Sequence, residues 1–589
     1  MLDPYRMVLV NVIASCLVFG GVLFYRYIYP KKKINLFVLL LIISVLPIIS
    51  IFRTGAYESG DFNIHVRRSM EFYQLLTEGN LIPSWAGSLN ATYGYPLYAF
   101  NYILPYYIIS FFHFIGFSFI ASLKLFLGTT FILSGIFMYA FSKSLLKNSL
   151  AGFAAAIFYL FTPYHLISTH FKITIGEILA YTLIPIVFYF INKFLVEKKV
   201  LYFLLSGLSL GLLILSHIFV AVFLIPVIII YIVFETKKFF KGILYSFGII
   251  VISLLISMFQ WTAPLIYRPY LFTAANPSDP GKAFYFPNIL DLLYSPWRFG
   301  LLFQGPKGEL SFLLGYAQLL ALLIIILLLI KNKMKKGYRK MVIFWIVLFF
   351  AAAFLITPYS IFIWRYLPLV NEAGSQRLLI LTGFFTSLFA GYVALTYGKR
   401  KLIIYGLIIF AVLTTMLNWG QRRVIPAIND NVLKQDISLG TGWGDTHFYA
   451  LPKWVNPKQP WFADIPKYHL EILQGKASIV NTYRSSTKHV YGINAQTNIN
   501  LKENTLYFPG WTATSNNKLI NIKPDKTGVI NLSLPRGKHL LTLSYEDLPM
   551  LAITKKISLL SIVLIISYFI YYLFKKIYVK TNSKVLNKD

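Results

Sequence analysis

Apolar runs of about 20 residues recur from one end of the chain to the other, each long enough to cross roughly 30 Å of hydrocarbon as a helix. Of the 589 residues 57% are hydrophobic and only 13% are charged, with a mean hydropathy of +0.64, more apolar surface than a water-soluble core absorbs. The chain is therefore expected to be a polytopic α-helical membrane protein.

A formal net charge of +33 would suggest a nucleic-acid partner in a soluble protein. Here the basic residues gather in short loops between apolar runs: Arg26 with Lys31–Lys33, Lys237 with Lys238 and Lys241, residues 331–340, and residues 399–401. Loops of this kind mark the cytoplasmic side, so the expected partners are anionic lipid headgroups, with no nucleic acid. Cys16 is the single cysteine and lies in the first apolar run, leaving neither a disulfide nor a thiolate metal site. Residues 7–25 lack a small-residue cleavage site and carry their positive flank on the wrong side for a signal peptide, so they read as a retained span with the N-terminus outside.

Facing the basic loops inward places spans at 7–25, 34–51, 119–141, 150–163, 177–195, 201–216, 218–234, 242–262, 312–330, 341–357, 378–397, 402–419 and 551–574, about thirteen in all. Residues 97–116 are apolar but rich in Tyr, Phe and Pro. Counting them as a crossing would put Lys143 and Lys147 outside, so they are expected at the outer interface. Four pieces then remain outside: 52–96, 263–311, 358–377 and 420–549. The last of these turns polar, with alternating runs at 528–535 and 538–546. Turn signals at Asn516-Asn517 and Arg536-Gly537 separate expected hairpin strands, giving an extracytoplasmic β-sandwich. No internal repeat is evident, which disfavours a repeat-built transporter.

The first outer piece carries the most chemistry. The pattern GDFNIHVRRSMEFYQLLTEGN fits a helix starting near Ser59 or Asp61 and stopping at Gly79. Asp61, His65 and Arg68 then share one face, with Glu58 just before it. A carboxylate at the membrane exit beside His and Arg is placed to act as a general base toward an acceptor hydroxyl. The bland alternative is that Asp61 caps the helix and Arg67 and Arg68 meet lipid phosphates. His165 and His170 are five apart, off the same-face spacing that a metal pair on one helix needs.

The succession GDFNIHVRR, GNLIPSW and YGYPLYAFNYILPYY resembles the bacterial YfhO-like membrane proteins and the relatives labelled 6-pyruvoyl-tetrahydropterin synthase-related membrane proteins, which are similar to glycosyltransferases of the GT-C superfamily. The resemblance continues in AAIFYLFTPYHL, GEILAYTLIP, SQRLLIL, YFPGWTAT and LPRGKHLLTL. The pterin label implies no chemistry here, because that soluble enzyme needs a compact zinc-binding histidine site and these histidines are scattered. The resemblance implies a GT-C-like transmembrane domain over 1–419 with a catalytic first outer loop at 52–96, a β-rich domain at 420–549, a final span at 550–574 and a basic cytoplasmic tail at 575–589, in the cytoplasmic membrane of a bacterium.

The implied activity is transfer of a sugar from a polyprenyl-phosphate donor to a cell-wall or glycolipid acceptor on the outer face. Asp61 matches the family's base. Glu58, offset by three residues, does not make a DxD or ExD pair, which leaves a divalent cation an open question; no other cofactor is implied. Phosphate leaves readily, so the site needs cations where the leaving oxygen turns anionic. Lys172, Arg268, Arg365 and Arg377 are the candidates, each with lipid snorkelling as its plain alternative, and Arg377 matches the family's basic position at the head of a span. Glu177 matches the GE pair as a possible acceptor-contacting carboxylate, although an acid is favoured at any helix N-terminus. Glu372 is placed to pair with Arg377. Trp85, Tyr95, Tyr98 and Trp297 are expected to stack on sugars or anchor at the interface. A transporter or flippase, which should carry ionisable residues at mid-membrane in broken helices, and a non-catalytic envelope scaffold are the competing readings.

Overall fold

The computed structural model describes residues 3–57, 60–272, 286–294, 311–366, 374–398, 400–419, 423–436, 439, 450–455 and 464–586. Among the described residues, eight helices are long and apolar enough to cross a membrane, or nine when one bent pair is taken as a single span. Four shorter apolar helices, Leu36–Phe52, Val200–Ser216, Tyr316–Ile330 and Lys401–Thr415, coincide with further spans expected from the sequence. The chain is a polytopic helical membrane protein. The segment expected at the interface forms two short helices, Leu97–Phe100 and Leu104–Phe114. At 1.5 Å per residue the longer one, of 11 residues, reaches only about 16 Å and cannot cross.

Two spans are not the straight helices the apolar runs suggest. Ser149–Leu160 is followed by Pro163–Lys172 at 49°. Pro163 has no N–H to donate and forces Thr162 out of the helical region (φ −72°, ψ 133°), so the run breaks there. The second half ends in a π-turn, Ser168–Lys172. The run expected as one span at 242–262 is likewise divided, into Phe239–Ile256 and Met258–Tyr267, at Ser257.

The C-terminal region holds two antiparallel sheets. In one the strand order is Leu470–Gln474, Ile499–Leu506, Val529–Leu534, Lys523–Pro524; in the other it is Ala477–Arg484, Lys488–Ala495, Gly537–Tyr545, Trp511–Ser515, Lys518–Ile520. Asn516 and Asn517 both take positive φ, 48° and 64°, the geometry of a two-residue hairpin turn, and they join paired strands. The second turn differs from expectation. Arg536-Gly537 carries the chain from Val529–Leu534 in the first sheet to Gly537–Tyr545 in the second, so these strands belong to different sheets instead of pairing. Alternation reveals a strand but not its non-local partner.

This domain is fastened to the first long loop. Leu506 N–H donates to Tyr93 O at 2.8 Å, Arg484 Nη2 to Thr92 O at 3.4 Å and Ser486 N–H to Glu78 at 3.1 Å. Trp85 fills the junction against Phe508, Trp511 and Tyr545. At Gly87 a Cβ would lie 2.3 Å from Ser486 O, so only glycine permits this approach. Ala56–Tyr57 also pairs with Val424–Ile425, although these belong to pieces far apart in sequence. The helix that begins at Asp61 is thus held at its C-terminal end and along the loop that follows it.

Candidate active site

The helix Phe62–Thr77 has Asp61 at its N-cap position, and its buried face includes His65, Arg68 and Glu71. The spacing of three and four places the first two on one side, as expected. The capping alternative fails in one respect: the Asp61 side chain accepts no cap hydrogen bond. Its carboxylate is half-buried and lies within electrostatic reach of Arg68, Lys172 and Glu177. Burial pushes its pKa above the ordinary aspartate value, the two cations pull it back, and Glu177 adds to the rise.

Glu177 forms the other half of the cluster. It sits fully buried in the first turn of Ile175–Glu197, where the helix dipole favours an acid. Its Oε2 accepts from Lys172 Nζ at 2.9 Å and from the Tyr164 hydroxyl at 3.0 Å, and its Oε1 accepts from Arg377 Nε at 2.9 Å. Lys172 also donates to the Tyr164 hydroxyl at 2.8 Å. The break after Leu160 and the π-turn aim Lys172 at this point. Ile173, directly after the π-turn, holds φ +53° and ψ 42°, a strained state for a β-branched residue. The Asp61 loop is pinned to the same turn, since Gly60 N–H donates to Phe171 O at 3.4 Å.

Aromatic rings line the space between the halves. Arg68 hydrogen-bonds to Tyr95 and Tyr106. The His65 Nδ1 lies 3.0 Å from the Tyr106 hydroxyl. Tyr102 stacks on Tyr106 with centroids 6.2 Å apart and on His217 at 5.9 Å. Asp61, Arg68, Lys172, Glu177 and Arg377 thus comprise three cations against two carboxylates, an excess of one positive charge. That balance suits an anion such as phosphate.

The structure therefore brings together Asp61, His65, Arg68, Lys172, Glu177 and Arg377, which lie as far apart in the sequence as positions 61 and 377. It does not bring in Arg268, which is exposed in the turn Arg268–Tyr270 and makes no hydrogen bond or ion pair with the cluster, nor Arg365, exposed at the end of Ile361–Arg365. Both sit at helix ends where a long basic side chain extends into solvent. Glu58, Glu372 and Trp297 lie outside the described residues. Trp85 is not a sugar platform but core, and Tyr95 and Tyr98 are buried with their hydroxyls directed at Arg68. Tyr164 and His217 are members that sequence reasoning missed. Among the described residues no three His, Cys, Asp or Glu side chains are grouped to hold a metal ion. A cleft of about 380 Å³, lined in part by Glu78, Asn80, Ser84, Thr487, Tyr545 and Asp547, opens at the junction with the β-domain and includes none of the cluster.

Residues 102–261 match the family described as dolichyl-phosphate-mannose-protein mannosyltransferase. That stretch contains Tyr102, Tyr106, Tyr164, Lys172, Glu177 and His217, and excludes Asp61 and Arg377. The chain is 26% identical over 214 residues to an uncharacterized protein of Lactococcus lactis subsp. cremoris, covering 36% of this chain and 35% of that one. A solved structure it is similar to is the arabinofuranosyltransferase AftD from Mycobacteria, with a TM-score of 0.42 and 12% identity over 67% of this chain and 27% of that one. This chain thus spans about a third or less of the length of the proteins it matches.

Proposed function

We propose that the protein is a membrane glycosyltransferase of the GT-C type, related to the YfhO-like proteins, that moves a sugar from a polyprenyl-phosphate donor to a cell-envelope acceptor on the outer face of a bacterial cytoplasmic membrane. The N-terminus is outside, the C-terminus is cytoplasmic, and about thirteen helices cross. The supporting observation is Asp61: a half-buried carboxylate at a helix N-cap that makes no cap bond and faces the cations Arg68 and Lys172. The match of residues 102–261 to a mannosyltransferase family adds to it.

In this reading Asp61 takes the proton from an acceptor hydroxyl as that oxygen bonds to the anomeric carbon. The bond from that carbon to the phosphate oxygen breaks, its electron pair leaves with the lipid phosphate, and the sugar inverts. Arg377 and Lys172 hold the departing charge. The test is release of polyprenyl phosphate by purified protein in detergent supplied with a polyprenyl-phosphate hexose and envelope glycolipid, with and without chelator. Asp61→Asn keeps the shape and removes the base, and it is expected to lower turnover by about 10³-fold. Turnover equal to wild type overturns the assignment of the base.

A second reading, a lipid or polysaccharide transporter, has one observation in its favour: the broken span carries the buried residues His165 and His170. Transporter function predicts lipid movement across vesicles that Asp61→Asn leaves intact.

A further inference from the structure

His217 separates two helices, Val200–Ser216 and Ile218–Thr236, in extended backbone (φ −162°, ψ 100°). Its Nδ1 accepts the Val220 N–H at 3.4 Å as the N-cap of the second helix. A nitrogen that accepts a hydrogen bond carries no proton, so the ring proton is on Nε2. That N–H faces Glu177 Oε1 at 4.0 Å, beyond hydrogen-bonding distance. The ring is fixed by stacking on Tyr102 at an interplanar angle of 28°. The backbone beneath is fixed too: Ser216 Oγ donates to Gly176 O at 2.8 Å, and a Cβ at Gly176 would meet Ser216 O at 2.5 Å and the Tyr102 ring at 2.9 Å. Capping explains Nδ1. It does not explain a buried, rigidly held Nε2–H directed at the one carboxylate that also holds Lys172 and Arg377.

We propose that His217 is a substrate-contacting hydrogen-bond donor whose Nε2–H binds a phosphate oxygen of the lipid-linked donor beside Arg377 and Lys172. The assignment rests on the glycosyltransferase reading above. Glu177 holds the two cations in place, and a phosphate oxygen approaching Nε2 from the side accepts the hydrogen bond that Glu177, at 4.0 Å, is too distant to accept. His217 stays neutral throughout and transfers no proton.

The two nitrogens can be separated by substitution. Asn is among the best N-caps, so His217→Asn retains the bond to Val220 and removes the Nε2–H. His217→Gln retains a donor at the reach of Nε2. Binding of polyprenyl phosphate to the full-length protein in detergent is measured beside polyprenol, which lacks the phosphate, and turnover is measured in parallel. His217→Asn is expected to keep the wild-type melting midpoint and polyprenol binding, to bind polyprenyl phosphate at least about tenfold more weakly, and to turn over about 10²-fold more slowly, the range seen on removing one donor from developing negative charge. His217→Gln is expected to recover at least tenfold of that loss. Wild-type phosphate affinity in a folded His217→Asn, or no recovery in a folded His217→Gln, overturns the assignment. An active wild type with an inactive Asp61→Asn and a fully active His217→Asn defeats this inference alone, whereas no transfer by wild type defeats the reading beneath it.

Discussion

Two buried glutamates, one at the head of a membrane helix and one in the β-domain, are built from nearly the same parts and end in different places. Glu503 is fully buried; its Oε1 accepts from Arg484 at 2.7 Å and from Tyr491 at 3.2 Å, with His489 Nδ1 at 2.9 Å. Glu177 has Arg377, Lys172, Tyr164 and His217 around it. Around Glu503 one guanidinium meets one carboxylate inside regular strands, and Arg484 goes on to hold Thr92 of the first long loop. Around Glu177 there is an extra cation and a second carboxylate, Asp61. Exposure does not separate the two sets, since Lys172 and Arg377 are 17% and 20% exposed and Arg484 is 17%. A set in which one guanidinium meets one carboxylate and reaches on to an adjoining loop is the pattern of a fastening. A set with an extra cation beside a second carboxylate is the pattern of a site.

The sharpest way to break the comparison is to neutralise each glutamate. Glu177→Gln leaves Lys172 and Arg377 without their anion, which costs about 3 kcal/mol of stability, the lower part of the range for a broken buried pair because both cations keep some contact with solvent. Turnover per folded molecule should fall at least about 10²-fold, since the cations then lose their placement. Glu503→Gln should cost a similar amount of stability by chemical denaturation, yet leave turnover per folded molecule within about twofold of wild type. If Glu503→Gln slows the folded enzyme as much as Glu177→Gln does, the division into fastening and site is wrong.

Acid separates the regions next. Burial opposes ionisation of Glu503, but His489 and Arg484 outweigh it and hold the pKa at about 2, below the ordinary 4.5. A depressed carboxylate contributes stability that is complete above its unfolded pKa and lost as pH falls toward the folded one. About 3 kcal/mol should therefore disappear between pH 4.5 and about 2, and Glu503→Gln should remove that dependence. Asp61 is shifted the other way, chiefly by burial. As a base it works deprotonated, so the acid limb of the turnover profile should lie above the ordinary aspartate range, where the β-domain is still fully stable. A limb at or below that range would show that Asp61 is not buried as described.

Much of this contrast was visible in the chain, and the rest was hidden for definite reasons. The three- and four-residue spacing of Asp61, His65 and Arg68 is a local signal, and the helix formed as that signal requires. Asp61, Glu177 and Arg377 were each notable as charged residues bordering apolar runs, but nothing in one sequence states that residues 200 apart will share a hydrogen bond. The break at Thr162-Pro163 has a signal, a proline inside an apolar run, which in sequence alone looks like the end of a span. His217 had a weaker one: Ser216-His217 is a polar pair interrupting a long apolar stretch at a helix start. In the β-domain, alternation marked Val529–Leu534 and Gly537–Tyr545 while the crossing between sheets stayed invisible, because pairing is decided by non-local burial.

The smallest effect tests how firmly the fastening is made. Asn90, Ala91 and Thr92 hold φ of 53°, 51° and 69°, three successive residues in the left-handed region. Each costs roughly 1–2 kcal/mol for a residue with a Cβ, less for asparagine. The turn persists because its surroundings fix it: Gly94 N–H bonds Leu89 O at 3.0 Å, Leu506 N–H bonds Tyr93 O, and Arg484 bonds Thr92 O. Thr92 is the costliest member, being β-branched, and its hydroxyl is buried with no hydrogen-bond partner. Glycine at this position adopts the same φ freely and retains the carbonyl that Arg484 binds, at an entropic cost of about 0.5–1 kcal/mol. Thr92→Gly should therefore stabilise the protein by about 1 kcal/mol in chemical denaturation without changing turnover. Loss of stability would mean that the threonine side chain holds the junction, and that the fastening depends on more than the Glu503 set.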